Sequence, residues 1–459
     1  MAKKKQIELT IEEKLQNALV PKEEQPYKIP SNWCWSYWKY CGKFIAGNGF
    51  KNIYQGFTQY DIPYYKVGSL KFCDEGNYLI DETNTINKEI RTKLKAVKIP
   101  VNSIIFAKIG EAIKLNRRCL NKIECCIDNN LMAFISEKYF YKYIFYWTKS
   151  LNFYELTNAT TVPALRKTDL ENIPIPLPPL NEQQRIVNII ESLFVKLDRA
   201  KELIENTLAQ FEQNKMAILH KAFTGELTAK WRKENNIDLS SWQDYQLKDI
   251  CEKITDGTHN SPINTDLGDY MYITAKNIKE EGIDLSKITY VSSDIHEKIY
   301  ARCNVEFGDV LYIKDGATTG IATINTIKEQ FSLLSSVAVL KPKKNKLLAK
   351  YLVYKLNSNE VRNMMINNMS GVAITRLTLT KIKQAKMKFP TIEEQQEIVN
   401  ILDKLLAKYN KIKNLEQQLE KIELLKKAIL AKAFRGELGT NNPDEESAEN
   451  LLKEILAEK

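Results

Sequence analysis

The residue types that most often do chemistry are few here, and they are scattered. The chain has three histidines and eight cysteines, Cys34, Cys41, Cys73, Cys119, Cys125, Cys126, Cys251 and Cys303. No two cysteines have the CxxC spacing. With so few histidines a Cys/His zinc site of usual spacing cannot be built, and the adjacent Cys125 and Cys126 read as small buried hydrophobes. A methyltransferase acting on base amino groups needs a cofactor loop and an Asn/Asp-Pro-Pro-aromatic motif. The nearest stretch, Ile62–Pro63–Tyr64–Tyr65, lacks the polar first residue. Gly47–Asn48–Gly49 is not followed by the third glycine of a dinucleotide loop, and there is no Walker A sequence. No Ser/His/Asp set can be assembled from these histidines. The residues describe a binder without catalysis, with no metal and no cofactor of its own.

Charge suggests what it binds. The formal net charge over 459 residues is +10. The stretch from Gly436 to Lys459 has seven acidic residues against Lys453 and Lys459, so the rest of the chain carries about +15. A basic body favours a polyanion, nucleic acid first. Hydrophobic content of 44% and charged content of 27% are those of ordinary globular domains, and the length allows two to four of them. The basic start Met1–Lys5 is not followed by an apolar core, and no apolar run approaches bilayer length. The expectation is a cytoplasmic protein with reduced thiols.

The elements that position such a binder are duplicated. Pro178, Leu180, Glu182–Gln183–Gln184 and Ile186–Val187–Asn188–Ile189 recur 212 residues later as Pro390, Ile392, Glu394–Gln395–Gln396 and Ile398–Val399–Asn400–Ile401. Ala222–Phe223–Thr224–Gly225–Glu226–Leu227 recurs as Ala433–Phe434–Arg435–Gly436–Glu437–Leu438 at an offset of 211. A large fixed period means a repeated module. Two modules on one chain suit a target that is itself two-fold, such as DNA or a pair of identical subunits. Between these signatures the order of expected strands and helices repeats, while residue identity does not. Asn102–Lys108 and Gly308–Lys314 read as matching strands, and Ile173–Pro179 as a stiff extended connector.

Two long helices are expected, from about Asn181 to Phe223 and from about Thr391 to Phe434. Thr391 with Glu394 forms a capping box, Asn181 with Gln184 a weaker one, and Gly225 and Gly436 stand where helix-ending glycines belong. Ile186, Ile190, Leu193, Leu197, Ala200 and Ile204 follow four-three spacing, continued by Leu208 and Phe211. Ile398, Leu402, Leu405, Tyr409 and Ile412 do likewise, followed by Leu415, Leu419, Ile422, Leu425 and Ile429. Such seams bury against a partner helix, here each other in antiparallel fashion. The alternative is that each helix packs on its own globular domain.

The run Pro178–Val187 with its second copy, and the two Ala-Phe-x-Gly-Glu-Leu helix ends, lie in order with Phe106–Ala112, Ile254–His259 and Lys314–Gly320. Together they make the chain resemble the specificity subunit of type I restriction-modification systems, from about Ile29 to Leu438. The resemblance implies α/β target-recognition domains plus two long α-helices, a pseudo-two-fold architecture in which an antiparallel coiled coil separates two globular domains. The expected order is a leader helix (1–29), recognition domain 1 (30–178), spacer helix 1 (179–225), a linker (226–240), recognition domain 2 (241–390), spacer helix 2 (391–436) and an acidic tail (437–459). It also implies that each domain reads one half of a split double-stranded DNA target. The helices would dock two methyltransferase subunits, which carry S-adenosylmethionine and methylate adenine, and through them restriction subunits. The first domain departs from the pattern: Asn102–Ser103 stand where Gly308–Asp309 stand in the second, and it has no Thr-Asp-Gly-Thr-His stretch.

Reading DNA takes side chains that reach base edges and more that grip phosphates. The candidates are Lys108, Lys114, Asn116, Arg117 and Arg118 in the first domain. In the second they are Thr255, Thr258, His259, Lys276, Lys314, Thr318 and Thr319. Asp256 and Asp315 are expected to brace loops. Half-sites would centre about one helical turn apart and differ in sequence. Partner docking is assigned to the shared residues Gln183, Gln184, Phe223, Glu226, Gln395, Gln396, Phe434 and Glu437, with burial of the two phenylalanines as helix-end caps the competing reading. The other functional classes are a standalone DNA-binding regulator, a protein scaffold and an undetected nuclease or methyltransferase.

Overall fold

The computed structural model describes residues 10–157, 162–369, 376–410 and 413–458, the side chains of 408–410 and 413–414 excepted. It divides into two units, Met1–Glu202 with Gln418–Lys459, and Leu203–Gln417.

Unit 1 holds strands β1 (Cys34–Tyr37), β2 (Gly42–Ala46), β3 (Ile62–Tyr65), β4 (Thr85–Ile86), β5 (Ile104–Ala107), β6 (Arg118–Leu120), β7 (Cys126–Ile127), β8 (Leu131–Ser136) and β9 (Pro174–Leu177). They form a four-stranded sheet in the order β2-β8-β5-β6, a three-stranded sheet β4-β3-β7, and the pair β1-β9. Unit 2 holds β10 (Gln243–Gln246), β11 (Cys251–Asp256), β12 (Tyr270–Ile273), β13 (Ile278–Lys279), β14 (Gly282–Ile283) and β15 (Thr289–Val291). It continues with β16 (Val310–Ile313), β17 (Ala322–Ile324), β18 (Ser332–Leu333), β19 (Val337–Pro342) and β20 (Lys386–Phe389). Its sheets run β11-β19-β16-β17, β15-β12-β18 and β10-β20, the same plan, with β13-β14 added. The expected repetition of plan without identity is what the fold has. The stiff Pro-rich connector is β9: Pro174–Leu177 pairs antiparallel with β1, where a proline-bearing strand fits because the sheet has only two strands.

Asn102 shows how one plan accommodates two sequences. The position before β5 needs a positive φ, +62° at Asn102, and its counterpart Gly308 has +89°. Asparagine is among the few residues besides glycine that tolerate this region. The departure from Gly-Asp therefore leaves the backbone intact.

The first long helix spans Leu180–Thr224, 45 residues or roughly 67 Å. It starts one residue earlier than expected, so Asn181 lies in the first turn instead of capping it. The Pro179 carbonyl accepts from the amides of Glu182 and Gln183. The second is seen as Ile392–Asn410 and Lys413–Phe434. Gly225 (φ +86°) and Gly436 (φ +74°) end the helices as expected, and a Cβ on either would strike a neighbour at 2.5 Å, Leu239 or Pro30.

Within unit 1 the start of the first helix (Ile186, Val187, Ile190) shares a core with the end of the second (Leu430, Ala433, Phe434). Within unit 2 the end of the first (Leu219, Ala222, Phe223) shares one with the start of the second (Ile398, Val399, Leu402). The helices therefore run antiparallel in each unit. Lys201 reaches Glu423 (3.5 Å) and Lys426 reaches Asp198 (2.5 Å), one number falling as the other rises. The seam departs from expectation at Leu425, which is 50% exposed. Four-three spacing from Ile422 leads to Lys426, and its ammonium lies over the Phe194 ring. The side chain of Tyr409 and all of Ile412 fall outside the described residues.

The terminal segments are folded parts of unit 1. The first helix seen is Ile11–Ala18, opened by a Thr10/Glu13 capping box. The acidic stretch expected as a tail forms the helix Ala448–Ala457, with Leu452, Ile455 and Leu456 buried. These two helices pack together, and Leu15 and Ala18 join Leu452 in the unit 1 core.

Candidate nucleic-acid interface and the helix junctions

In unit 2, β11 and β16 both pair antiparallel with β19, so they run the same way and end at the same edge of the sheet. Asp256 pairs with Ala338, which pairs with Tyr312. The loops bearing Thr258–His259 and Lys314–Thr319 therefore leave one edge side by side. The Lys276 segment joins them through β12: Leu334 donates to the Ile273 carbonyl (3.1 Å), and Thr258 donates to the Leu333 carbonyl (2.8 Å). Unit 1 repeats the arrangement. β2 and β5 run alongside β8 and end at one edge, and β6 starts there because Phe106 pairs with Arg118. Lys108, Lys114 and Arg117 are brought to that edge. The same return contact closes both loops: Leu165 N–H donates to the Lys108 carbonyl (2.8 Å) and Leu377 N–H to the Lys314 carbonyl (3.2 Å).

Within this frame the candidates separate into surface groups and braces. Lys114, Arg117, His259, Lys276 and Thr318 are exposed, while Lys108, Thr255 and Thr258 are half-buried. Lys114 pairs with Glu111 (2.6 Å). The Thr258 hydroxyl donates to the Asn260 carbonyl (3.0 Å).

Four candidates are turned inward and engage partners within their own unit. Arg118 is 3% exposed, stacks on Phe153 (3.7 Å) and donates to the carbonyls of Asn116 and Leu151. Burial lowers its pKa to about 9. The Asn116 amide donates to the Leu151 carbonyl and accepts from Phe153 N–H. Lys314 is 6% exposed, held by Asp315 (2.9 Å) and Asp256 (3.4 Å). Thr319 is buried and donates to the Gly316 carbonyl (2.7 Å). A Lys just after a strand, or an Arg at its start, does not reveal from sequence whether the side chain folds back, and here both do.

Asp256 is the hub of the second edge. Its carboxylate takes Arg302 (2.5 Å) and Lys314 (3.4 Å) and lies 3.5 Å from His259. It braces the loop, as expected of it. Arg302 was not among the candidates. It ends the helix Ser293–Arg302, remote in sequence from the motif, and its half-exposed guanidinium lies 3.0 Å from His259 Nε2.

The repeated Glu-Gln-Gln signature is explained by internal latches. Glu182 and Glu394 are fully buried. Trp33 Nε1 donates to Glu182 (2.9 Å), and the Thr440 hydroxyl donates to its other oxygen (3.1 Å). Trp242 Nε1 donates to Glu394 (2.9 Å), and Thr228 and Arg232 donate to its other oxygen, each at 2.6 Å. Gln183 accepts from Phe140 N–H and donates to the Pro178 carbonyl; Gln395 accepts from Leu348 N–H and donates to the Pro390 carbonyl. About two turns on, Glu191 receives Lys142 and Tyr146, and Asp403 receives Lys350 and Tyr354.

Gln183 and Gln395 therefore fix each recognition domain to its helix and are not free to dock a partner. Phe223 and Phe434 are buried end caps, edge-on to Tyr351 (5.5 Å) and Tyr143 (5.4 Å). Gln184, Glu226, Gln396 and Glu437 stay exposed. The sequence signal for the latch was present: Trp33 and Trp242 repeat with nearly the period of the glutamates that hold them.

Comparison with known proteins agrees with this arrangement. Residues 51–212 and 240–424 match the type I restriction modification DNA specificity domain. The type I restriction enzyme EcoBI specificity subunit of Escherichia coli is 29% identical over 330 residues, 66% of this chain and 68% of that protein. The EcoKI specificity subunit of Escherichia coli strain K12 is 26% identical over 318 residues, again 66% and 68%. Among solved structures, a chain from work on complex assembly and conformational transition of the type I R-M system aligns with a TM-score of 0.65 at 20% identity. It covers 90% of this chain and 100% of that one. The HsdS subunit from Thermoanaerobacter tengcongensis gives 0.52 at 18%, with the same coverage. Those two likenesses establish the fold. With a family match over both halves, a repeated recognition domain and a pair of antiparallel helices, the chain belongs to the family of type I restriction-modification DNA specificity subunits.

Proposed function

We propose that the two domains read the two halves of a split, asymmetric double-stranded DNA target, and that the chain itself performs no catalysis. What supports this is the contrast between the edges. Each unit gathers exposed polar and basic side chains around the corresponding edge of its four-stranded sheet, yet the residues there differ: Lys114 and Arg117 in one, His259, Arg302, Lys276 and Thr318 in the other. One geometry with two sets of side chains suits two unlike half-sites. Buried Lys314 and Arg118 stiffen these edges, so the exposed groups meet the duplex pre-organised.

In this reading the helices dock two methyltransferase subunits, which bring S-adenosylmethionine and modify adenine, and restriction subunits join through them in the cytoplasm. Gln184, Glu226, Gln396 and Glu437 are the repeated polar residues left on the surface for that docking. The test is reconstitution with a type I methyltransferase subunit from the same host. The expected product is a one-to-two assembly that methylates adenine in one split sequence, and substitution at Gln184 and Gln396 together weakens assembly. Tight, sequence-specific DNA binding by the isolated chain with no assembly would instead make it a standalone regulator.

A further inference from the structure

We propose that Cys73 and Cys119 are a redox-reversible modification site in the first recognition domain, closed to an intramolecular disulfide by a small-molecule disulfide such as oxidised glutathione. Both thiols are free in this structure, and their sulfurs lie 2.6 Å apart in a hydrogen bond. The backbone holds them there. Cys119 is the middle residue of β6 and pairs with Ile105. Cys73 bridges to Leu79, whose N–H donates to the Leu120 carbonyl (2.8 Å), and Leu120 N–H donates to the Asn77 carbonyl (2.8 Å). The turn carrying Cys73 is thus zipped alongside β6, which keeps the two sulfurs facing each other.

The surroundings give the two sulfurs different roles. Cys73 is partly exposed, whereas Cys119 is 2% exposed. The hydrogen bond with Cys119 favours the Cys73 thiolate, helped by the nearby Lys149 ammonium, which is anchored on the Asn77 side chain. Elsewhere burial pushes the thiols of Cys34, Cys251 and Cys303 up to about 12, so they are poor nucleophiles. Cys73 attacks first: its thiolate bonds to one sulfur of oxidised glutathione and expels one glutathione thiolate. The expelled thiolate takes the proton of the buried Cys119, whose sulfur then attacks the Cys73 sulfur and expels the second glutathione as thiolate. Two protein thiols are oxidised by two electrons and one glutathione disulfide is reduced to two thiols.

The full-length chain, reduced and then freed of reductant, is equilibrated in a series of reduced and oxidised glutathione, quenched by alkylation and mapped by mass spectrometry without reduction. The expected result is a Cys73–Cys119 linked peptide that appears with oxidation and is lost with dithiothreitol. Cys119→Ser should hold Cys73 as a mixed disulfide with glutathione, and Cys73→Ser should give no link. The melting temperature should be higher oxidised than reduced in the parent chain and should not rise on oxidation in either variant. Alkylation of Cys73 across the whole series would overturn the proposal. So would stable glutathione on Cys73 of the parent chain with no link, or a link that dithiothreitol does not open in the folded chain.

Discussion

The twin buried glutamates should respond very differently to the same one-atom change. Glu394 accepts from Trp242 on one oxygen and from both Thr228 and Arg232 on the other. Arg232 is 7% exposed, and its guanidinium also donates to the Gly225 carbonyl. In Glu394→Gln one oxygen becomes an NH2 group. Whichever way the amide turns, it faces a donor, either the indole N–H or the guanidinium, and the arginine loses its counter-charge. Removing one partner of a buried pair costs about 3–5 kcal/mol. For a body the size of unit 2, that lowers the melting temperature by roughly 6–20 °C.

Among the described residues no arginine hydrogen-bonds Glu182, and the Arg185 charge acts on it only from a distance. Its second oxygen accepts from the Thr440 hydroxyl, which can turn and accept. Burial already raises the Glu182 pKa, so its charged form is disfavoured. Glu182→Gln keeps the Trp33 bond, gains an N–H to Thr440 Oγ1 and should cost about 1 kcal/mol or less. Scanning calorimetry of the two variants decides it. Equal losses, or a negligible loss in Glu394→Gln, would refute the reasoning.

Four further outcomes follow from the same geometry. Lys355 is 4% exposed, and burial lowers its pKa to about 8. The unfolded chain holds that proton to higher pH than the folded one, so stability should rise between about pH 8 and the ordinary lysine range, by about 3 kcal/mol at most. The rings of Phe223 and Phe389 at 4.9 and 5.3 Å favour the cation and reduce the rise; Lys355→Met should abolish it in denaturation at stepped pH. Arg117→Ala should weaken DNA binding by the assembled complex evenly across sequences and flatten its salt slope by about 1. Arg118→Ala should instead lower stability by roughly 1–3 kcal/mol through the Leu151 and Phe153 contacts, as urea unfolding would show. Seven residues added to both long helices lengthen each by about 10 Å. The unread gap between half-sites should then grow by up to about three base pairs at the usual rise of 3.4 Å, measured by methylation mapping, with both half-sites unchanged.

The duplicated plan and the long helices were legible in the sequence because both rest on short-range rules: period, caps and terminal glycines at Gly225 and Gly436. The sheet edges were legible in outline, since Lys108-x-Gly110 and Lys314-x-Gly316 follow the matching strands β5 and β16. Side-chain direction was not. Lys314 and Arg118 look like ligands for phosphate until Asp256, or Phe153 and the Leu151 carbonyl, are seen to hold them. Those partners are 33 to 58 residues away in sequence. Repetition itself misled in one respect. Gln183 and Gln395 recur because each unit needs the same internal latch, and recurrence cannot separate a shared fold requirement from a shared partner. The acidic C-terminal stretch hid a helix because its spacing of Leu452, Ile455 and Leu456 is short and its charge is high.

The central claim is that this chain selects the DNA sequence that partner subunits modify. Single-molecule sequencing of adenine methylation across the host genome, with and without this gene, tests it most directly. Loss of one split, asymmetric motif on deletion, with all other methylation unchanged, is the predicted result. An unchanged methylome beside an active methyltransferase partner, or loss of an unsplit palindrome, would contradict it.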